Sequence, residues 1–301
     1  MKSSFLPLLG LLVSGSACST ANPIPLTSAA LEEAEISASA GDWKEAWNLI
    51  NDFDSEDLDR ATMIDFHRLC GEIAWELEEV SRCIRHYESF LQMRGPGSDS
   101  RVAEERLFKL GNEMLEGEHR TMGLFPNRTR GRVTLQNLAG WAPESPLAPE
   151  ALATVAEYSY SNGHYKDAAV DYQLLLSRYR ASEWGDLATF RLGMCGFHRA
   201  HNSKTNLQLL SQSSDQMANY QKLYPSGRYA TEAAAAILEL LELQAGYFLY
   251  LGDYYMTVGN PAAARRYYER AATHSGTQSA MDASNKMQTI PVTSPEGTPS
   301  P

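Results

Sequence analysis

Apolar residues recur along most of the chain at intervals of three and four, the period of a helix with one buried stripe. The clearest case runs from Glu144 to Trp184. Leu152, Val155, Ala156, Ser159 and Tyr160 make one stripe. After a break at Asn162-Gly163-His164, Tyr165, Ala168, Ala169, Tyr172, Leu175, Leu176 and Tyr179 make a second. The pattern predicts two antiparallel helices, with Ala156 and Ala168 where the axes come nearest and only a small side chain fits. One hairpin of this kind cannot bury its own apolar face, so copies are expected beside it.

Copies precede and follow it. The first spans Ser28 to Asp54 and turns at Gly41-Asp42-Trp43; the second spans Asp59 to Met93 and ends at Gly95-Pro96-Gly97. A third starts at Arg101, is interrupted by the polar stretch Glu116 to Arg130, resumes near Gly131 and stops at Pro143. The Glu144–Trp184 pair is the fourth. A fifth runs from about Asp186 to Pro225, breaking at His201-Asn202-Ser203, and the sixth from Thr231 to Thr273. Leu251, Gly252, Tyr255, Gly259, Ala264, Tyr268 and Ala271 match the tetratricopeptide repeat (TPR) consensus at each diagnostic position; the other copies are degenerate. Ser145, Ser182 and Ser226 fit N-caps or the residues just before them. No segment alternates like a strand for any useful length, so the expected fold is all-α, a TPR-like solenoid of about six helical hairpins over residues 28–275. From 276 to 301 Ser, Thr, Pro and Gly dominate, and a disordered tail is expected.

Composition narrows the function. The 301 residues hold 26 Lys and Arg against 37 Asp and Glu, a net charge of -11. Phosphate binding needs a basic face, so nucleic acid is a poor partner. The amino terminus reads as an export signal over residues 1–17: Lys2, an apolar core from Phe5 to Val13, then Ser14-Gly15-Ser16-Ala17. The core is too short to span a bilayer. Two cuts compete. Cys18 after small residues resembles a bacterial lipobox, although Gly15 stands where Leu is usual; ordinary cleavage after Ala17 or Ala21 would release a soluble exported protein. Residues 18–27 read as a tether. Cys70, Cys83 and Cys195 read as small buried hydrophobes, while the facing positions of Cys70 and Cys83 leave a disulfide conceivable.

No catalytic or cofactor motif is present, and neither an enzyme nor a metal centre is expected; His198 and His201 have helical spacing but no third ligand nearby. Function then falls to surfaces that bind other proteins. Counting from the consensus, the first helix of each pair lines a groove through Glu35, Arg68, Glu72, Trp75, Glu157, Tyr160, Phe190, Met194 and Phe197. Trp75 beside Arg68, and the Phe190, Met194 and Phe197 trio, are apolar-plus-polar sets of the kind that hold extended peptides. Packing between repeats accounts for Phe190 and Phe197 equally well.

The run from Ser145 to Ser182, the helix holding Phe190-Arg191-Leu192-Gly193-Met194-Cys195, the stretch Asn219 to Ala233, and the long helix leading to Ala271 together resemble BamD. BamD is the TPR lipoprotein family of the outer-membrane β-barrel assembly machinery. The resemblance covers about Ser145 to Thr273; residues 28–142 agree only in repeat spacing. It implies a lipid-anchored scaffold whose partners are the barrel-assembling outer-membrane protein, accessory lipoproteins and unfolded barrel substrates. Ser19 after the cysteine, by resemblance to known lipoproteins, favours the outer membrane over the inner one. Arg265 and Arg266 lie on the last hairpin, which the family uses for its main partner, and they fit a solvated helical face as well. The alternative is another exported TPR adaptor of the envelope, in division or peptidoglycan coordination.

Overall fold

The computed structural model describes residues 24–25, 28–51, 53–54, 59–95, 99–121 and 125–290. Cys18, the signal and most of the tether lie outside them. Thirteen helices occur among the described residues, with strands limited to two-residue bridges: Ile24–Pro25 pairs with Phe53–Asp54, and Arg120–Thr121 with Phe125–Pro126. The fold is all-α and built of TPR-like hairpins. It divides into two compact units, Met1–His86 and Tyr87–Pro301.

The first unit contains α1 (Ser28–Ser39), α2 (Trp43–Ile50), α3 (Arg60–Glu76) and the start of α4 (Val80–Met93). Gly41 sits at φ +85°, a conformation L side chains rarely adopt, and lets the chain reverse between α1 and α2. Asp59 caps α3: its carboxylate accepts from the Thr62 hydroxyl at 2.6 Å and from the amides of Ala61 and Thr62. Those bonds hold the Asp59 carboxyl below its ordinary range. Ala34, Ala46, Ile50, Leu69, Cys70 and Ile73 fill the core. Cys70 and Cys83 are buried, and burial drives the Cys70 thiol far up.

The second unit continues through α5 (Arg101–Glu116), α6 (Arg128–Trp141), α7 (Ala148–Ser161), α8 (Tyr165–Tyr179), α9 (Gly185–His201), α10 (Leu207–Leu223), α11 (Ala230–Thr257), α12 (Pro261–Ala272) and α13 (Gln278–Thr289). Successive helices pack as hairpins, α5 on α6, α7 on α8, α9 on α10 and α11 on α12. Ala156 and Ala168 are fully buried in the α7–α8 core with Tyr172 and Leu175, as the hydrophobic pattern requires. The Leu-Gly step of the repeat has a visible cause. A Cβ on Gly252 would collide with the Tyr268 ring, and one on Gly193 would lie 2.8 Å from Met217 Sδ. Glycine thus clears space for a large side chain from the facing helix.

Buried polar groups tie one hairpin to the next. Asp171 on α8 accepts from Arg132 at 2.8 Å and Gln136 at 3.1 Å on α6, and from Ser159 on α7 at 3.2 Å. Burial raises its carboxyl despite Arg132. Glu88 accepts from Arg130 at 2.5 Å and Asn137 at 3.0 Å. A carboxylate taken from water needs such partners, or it protonates.

The expectation of a disordered tail from residue 276 is corrected over Gln278–Thr289 by α13, while residues 291–301 lie outside the described residues. The apolar stripe of α13 is sparse: Ala280 and Ala283 are buried, and Ala283, Met287 and Ile290 pack into the cluster of Phe248, Ala264, Tyr268 and Ala271. Polar contacts with α11 and α12 add to that packing. Thr277 caps it, and Glu242 accepts from Ser279 Oγ at 2.6 Å. Lys286 donates to both oxygens of Asp253, and Arg265 donates to the Ile290 carbonyl at 3.2 Å. Among the described residues α11 is the one helix long and apolar enough to cross a bilayer. Two of its carboxylates, Glu242 and Asp253, accept from α13, and it packs on α10, α12 and α13.

Candidate partner-binding site

The sequence-derived candidates fall into three groups. On α3, Arg68 donates to Glu35 of α1 at 2.5 Å and to Glu72 at 3.0 Å, one helical turn further along. All three are partly exposed, so the pair of acids orients a guanidinium that still meets water. Burial disfavours the Arg68 charge, but the two carboxylates outweigh it and raise its pKa above the usual arginine value. Trp75 lies on the same helix, half-buried.

The second group gathers around a residue that was not among the candidates. Arg191 on α9 donates through Nε and Nη2 to the two oxygens of Glu157 on α7, at 3.0 and 3.3 Å. Its guanidinium lies 4.3 Å over the Tyr160 ring, a cation–π contact. Tyr172 of α8 donates its hydroxyl to the same Glu157 oxygen. Tyr160 Oη meets His198 Nε2 at 3.0 Å, and the His198 ring stacks on Tyr165 at 4.4 Å. Burial, with His201 and Arg191 nearby, pushes the His198 pKa down and favours the neutral ring. Burial also drives the Tyr172 hydroxyl up, so it stays a donor. Burial opposes the Arg191 charge, yet Glu157 and the two tyrosines hold it above the ordinary value. The result is a preorganised patch across α7, α8 and α9, in which Tyr172 is buried beneath Glu157. Its half-buried members, Arg191, Tyr160 and Tyr165, present a paired guanidinium and aromatic surface of the kind that holds extended peptides. Arg191 was legible as the lone basic residue in the otherwise uncharged stretch Leu187 to Phe197. The tertiary register that sets it opposite Glu157 was not.

Other candidates serve the fold. Phe190 is buried, stacked on Tyr229 at 4.5 Å and edge-on to Tyr220, in a core with Met217 and Ala233. It does not line a groove. Met194 and Phe197 are partly buried against that core. Arg265 is engaged with the end of α13, while Arg266 beside it is exposed. Cys195 is buried, with its thiol pushed up to about 12 by that burial. Among the described residues no group of three or more His, Cys, Asp or Glu side chains is arranged to hold a metal ion.

A family model described as an outer membrane lipoprotein, YfiO, matches residues 129–290. The chain belongs to this family. The YfiO match opens one residue into α6 and closes just past α13, so it contains the whole Arg191 patch and leaves Arg68, Glu72 and Trp75 outside. YfiO-type chains are protein-interaction scaffolds rather than enzymes, and the family belongs to the cell envelope. No curated protein matches the chain. Among solved structures, the C-terminal part of a TPR repeat-containing protein from Cytophaga hutchinsonii is similar at 10% identity, over 84% of this chain and 86% of that one, with a TM-score of 0.29. A likeness at that score carries no argument.

Proposed function

We propose that the chain is a lipid-anchored scaffold on the periplasmic face of the outer membrane, serving the assembly and insertion of β-barrel proteins by binding other proteins. The observation that carries this reading is the YfiO match from α6 to α13, over the same stretch whose residues resemble BamD. Cys18 is the lipidated residue in this reading. Several acyl chains at about 0.8 kcal/mol per buried methylene make such an anchor effectively permanent. The partners are the barrel-assembling outer-membrane protein, accessory lipoproteins and unfolded barrel substrates.

The surfaces assigned to them are the half-buried Arg68–Glu72–Trp75 side of α3, the Glu157–Tyr160–Arg191 patch with Met194 and Phe197, and Arg266. No cofactor enters this reading. Depletion of the chain from cells tests it. The expected outcome is loss of folded, heat-modifiable barrel proteins from the outer membrane while other lipoproteins keep their level. Unchanged barrel proteins, with the chain gathered at the division site, would overturn it in favour of an envelope adaptor of another process.

A further inference from the structure

The first unit contains a pair of histidines that the binding role leaves unused. His67 of α3 and His86 of α4 face each other with their Nδ1 atoms 2.9 Å apart. Two imidazole nitrogens at that distance share one proton: one ring donates, the other accepts with a lone pair. The contact exists only while at least one ring is neutral. The pair is half-buried and walled by aromatic rings, Phe66 edge-on to both histidines and Trp47 of α2 edge-on to His86. Around it the charges are positive. His67, Arg85 and Arg82 all act on His86 against its protonation, added to its burial. Glu79, just before α4, is held on Arg82, whose guanidinium lies 4.6 Å over Trp47. No carboxylate is among the groups acting on either ring.

From this geometry we infer that the His67–His86 contact is a proton-sensitive latch: a second proton forces the rings apart and loosens α2, α3 and α4 within the first unit. Two like charges on facing nitrogens, with two guanidiniums behind them, cannot both be solvated in a half-buried aromatic slot. The sign follows from the direction of the shifts. Both folded-state values lie below the ordinary 6.5, that of His86 at about 4. The unfolded segment therefore binds more protons in the window between, and the latch holds above about pH 6.5 and fails as pH falls towards 4. Across that window the opening equilibrium of the first unit rises on the order of 100-fold.

Segment-resolved hydrogen exchange on the full chain tests it, as protection factors between pH 7 and pH 4.5. Residues 43–86 should lose protection steeply on acidification, and the double variant His67→Gln, His86→Gln should flatten that loss. An equal acid dependence in both proteins would overturn the inference. Imidazole resonances of the unmodified chain give an independent reading that does not rely on the variant folding. The latch requires unequal tautomers at pH 7 and a second protonation well below 6. Two rings titrating independently near 6.5 would also overturn it.

Discussion

The two units solve the problem of joining helices differently. In the second, buried or half-buried polar bonds cross from hairpin to hairpin: Asp171 to Arg132, Glu157 to Arg191, Asp253 to Lys286. In the first, residues 28–86 carry fifteen Asp and Glu against five Lys and Arg, so nearly all of the chain's net charge of -11 arises there. Its main cross-helix polar contacts are the Arg68–Glu35 pair at the surface and the neutral His67–His86 pair. The family match, residues 129–290, lies within the second unit and leaves its first residues, α5 among them, outside. The contrast teaches where each unit is vulnerable: the second to loss of a specific partner atom, the first to a change of charge.

The largest expected effect is at Asp171. Asp171→Ala leaves Arg132 facing a cavity where its carboxylate was, and should cost about 3 kcal/mol. Hydrogen exchange should show the loss within residues 128–179 and unchanged protection in residues 28–86. Equal loss in both would break the comparison. Next comes Ala168→Leu, which overpacks the α7–α8 crossing and should cost ~1–3 kcal/mol in a denaturant titration. A neutral result would mean that Ala168 does not sit at the close approach. Arg191→Lys should cost about 1–2 kcal/mol, because an ammonium cannot keep both the two-point contact to Glu157 and the stack on Tyr160. Tyrosine fluorescence or side-chain resonances of Tyr160 read this out. The smallest effect is at Lys286→Ala. Its contact with Asp253 is nearly half exposed on both sides, so it should change global stability by under about 1 kcal/mol while α13 exchanges faster.

How far the sequence could be read depended on what holds each element. The hairpins were legible because apolar residues at helical spacing report burial directly, and the Gly252–Tyr268 pair showed the repeat at its most regular. Helix α13 was hidden because its stripe of Ala280, Ala283, Met287 and Ile290 is sparse and half made of small residues, and its polar anchors Glu242, Asp253 and Arg265 lie far away in sequence. The same cause explains the site. Glu157 and Tyr160 stood out on one helical face, but their shared partner Arg191 needed the register between α7 and α9. Phe190 looked like a groove residue because a large apolar side chain has the same spacing whether a ligand or Tyr229 covers it.

The central claim, that this YfiO-family chain scaffolds barrel assembly, is tested most directly by affinity capture. The chain, carrying a carboxy-terminal affinity tag and expressed in its own cells, would be recovered from detergent-solubilised membranes and its co-purifying proteins identified. The account predicts the barrel-assembling outer-membrane protein in stoichiometric amount, and its loss from the membrane fraction's complex in the Cys18→Ser chain. Recovery of the intact chain without that protein would contradict it.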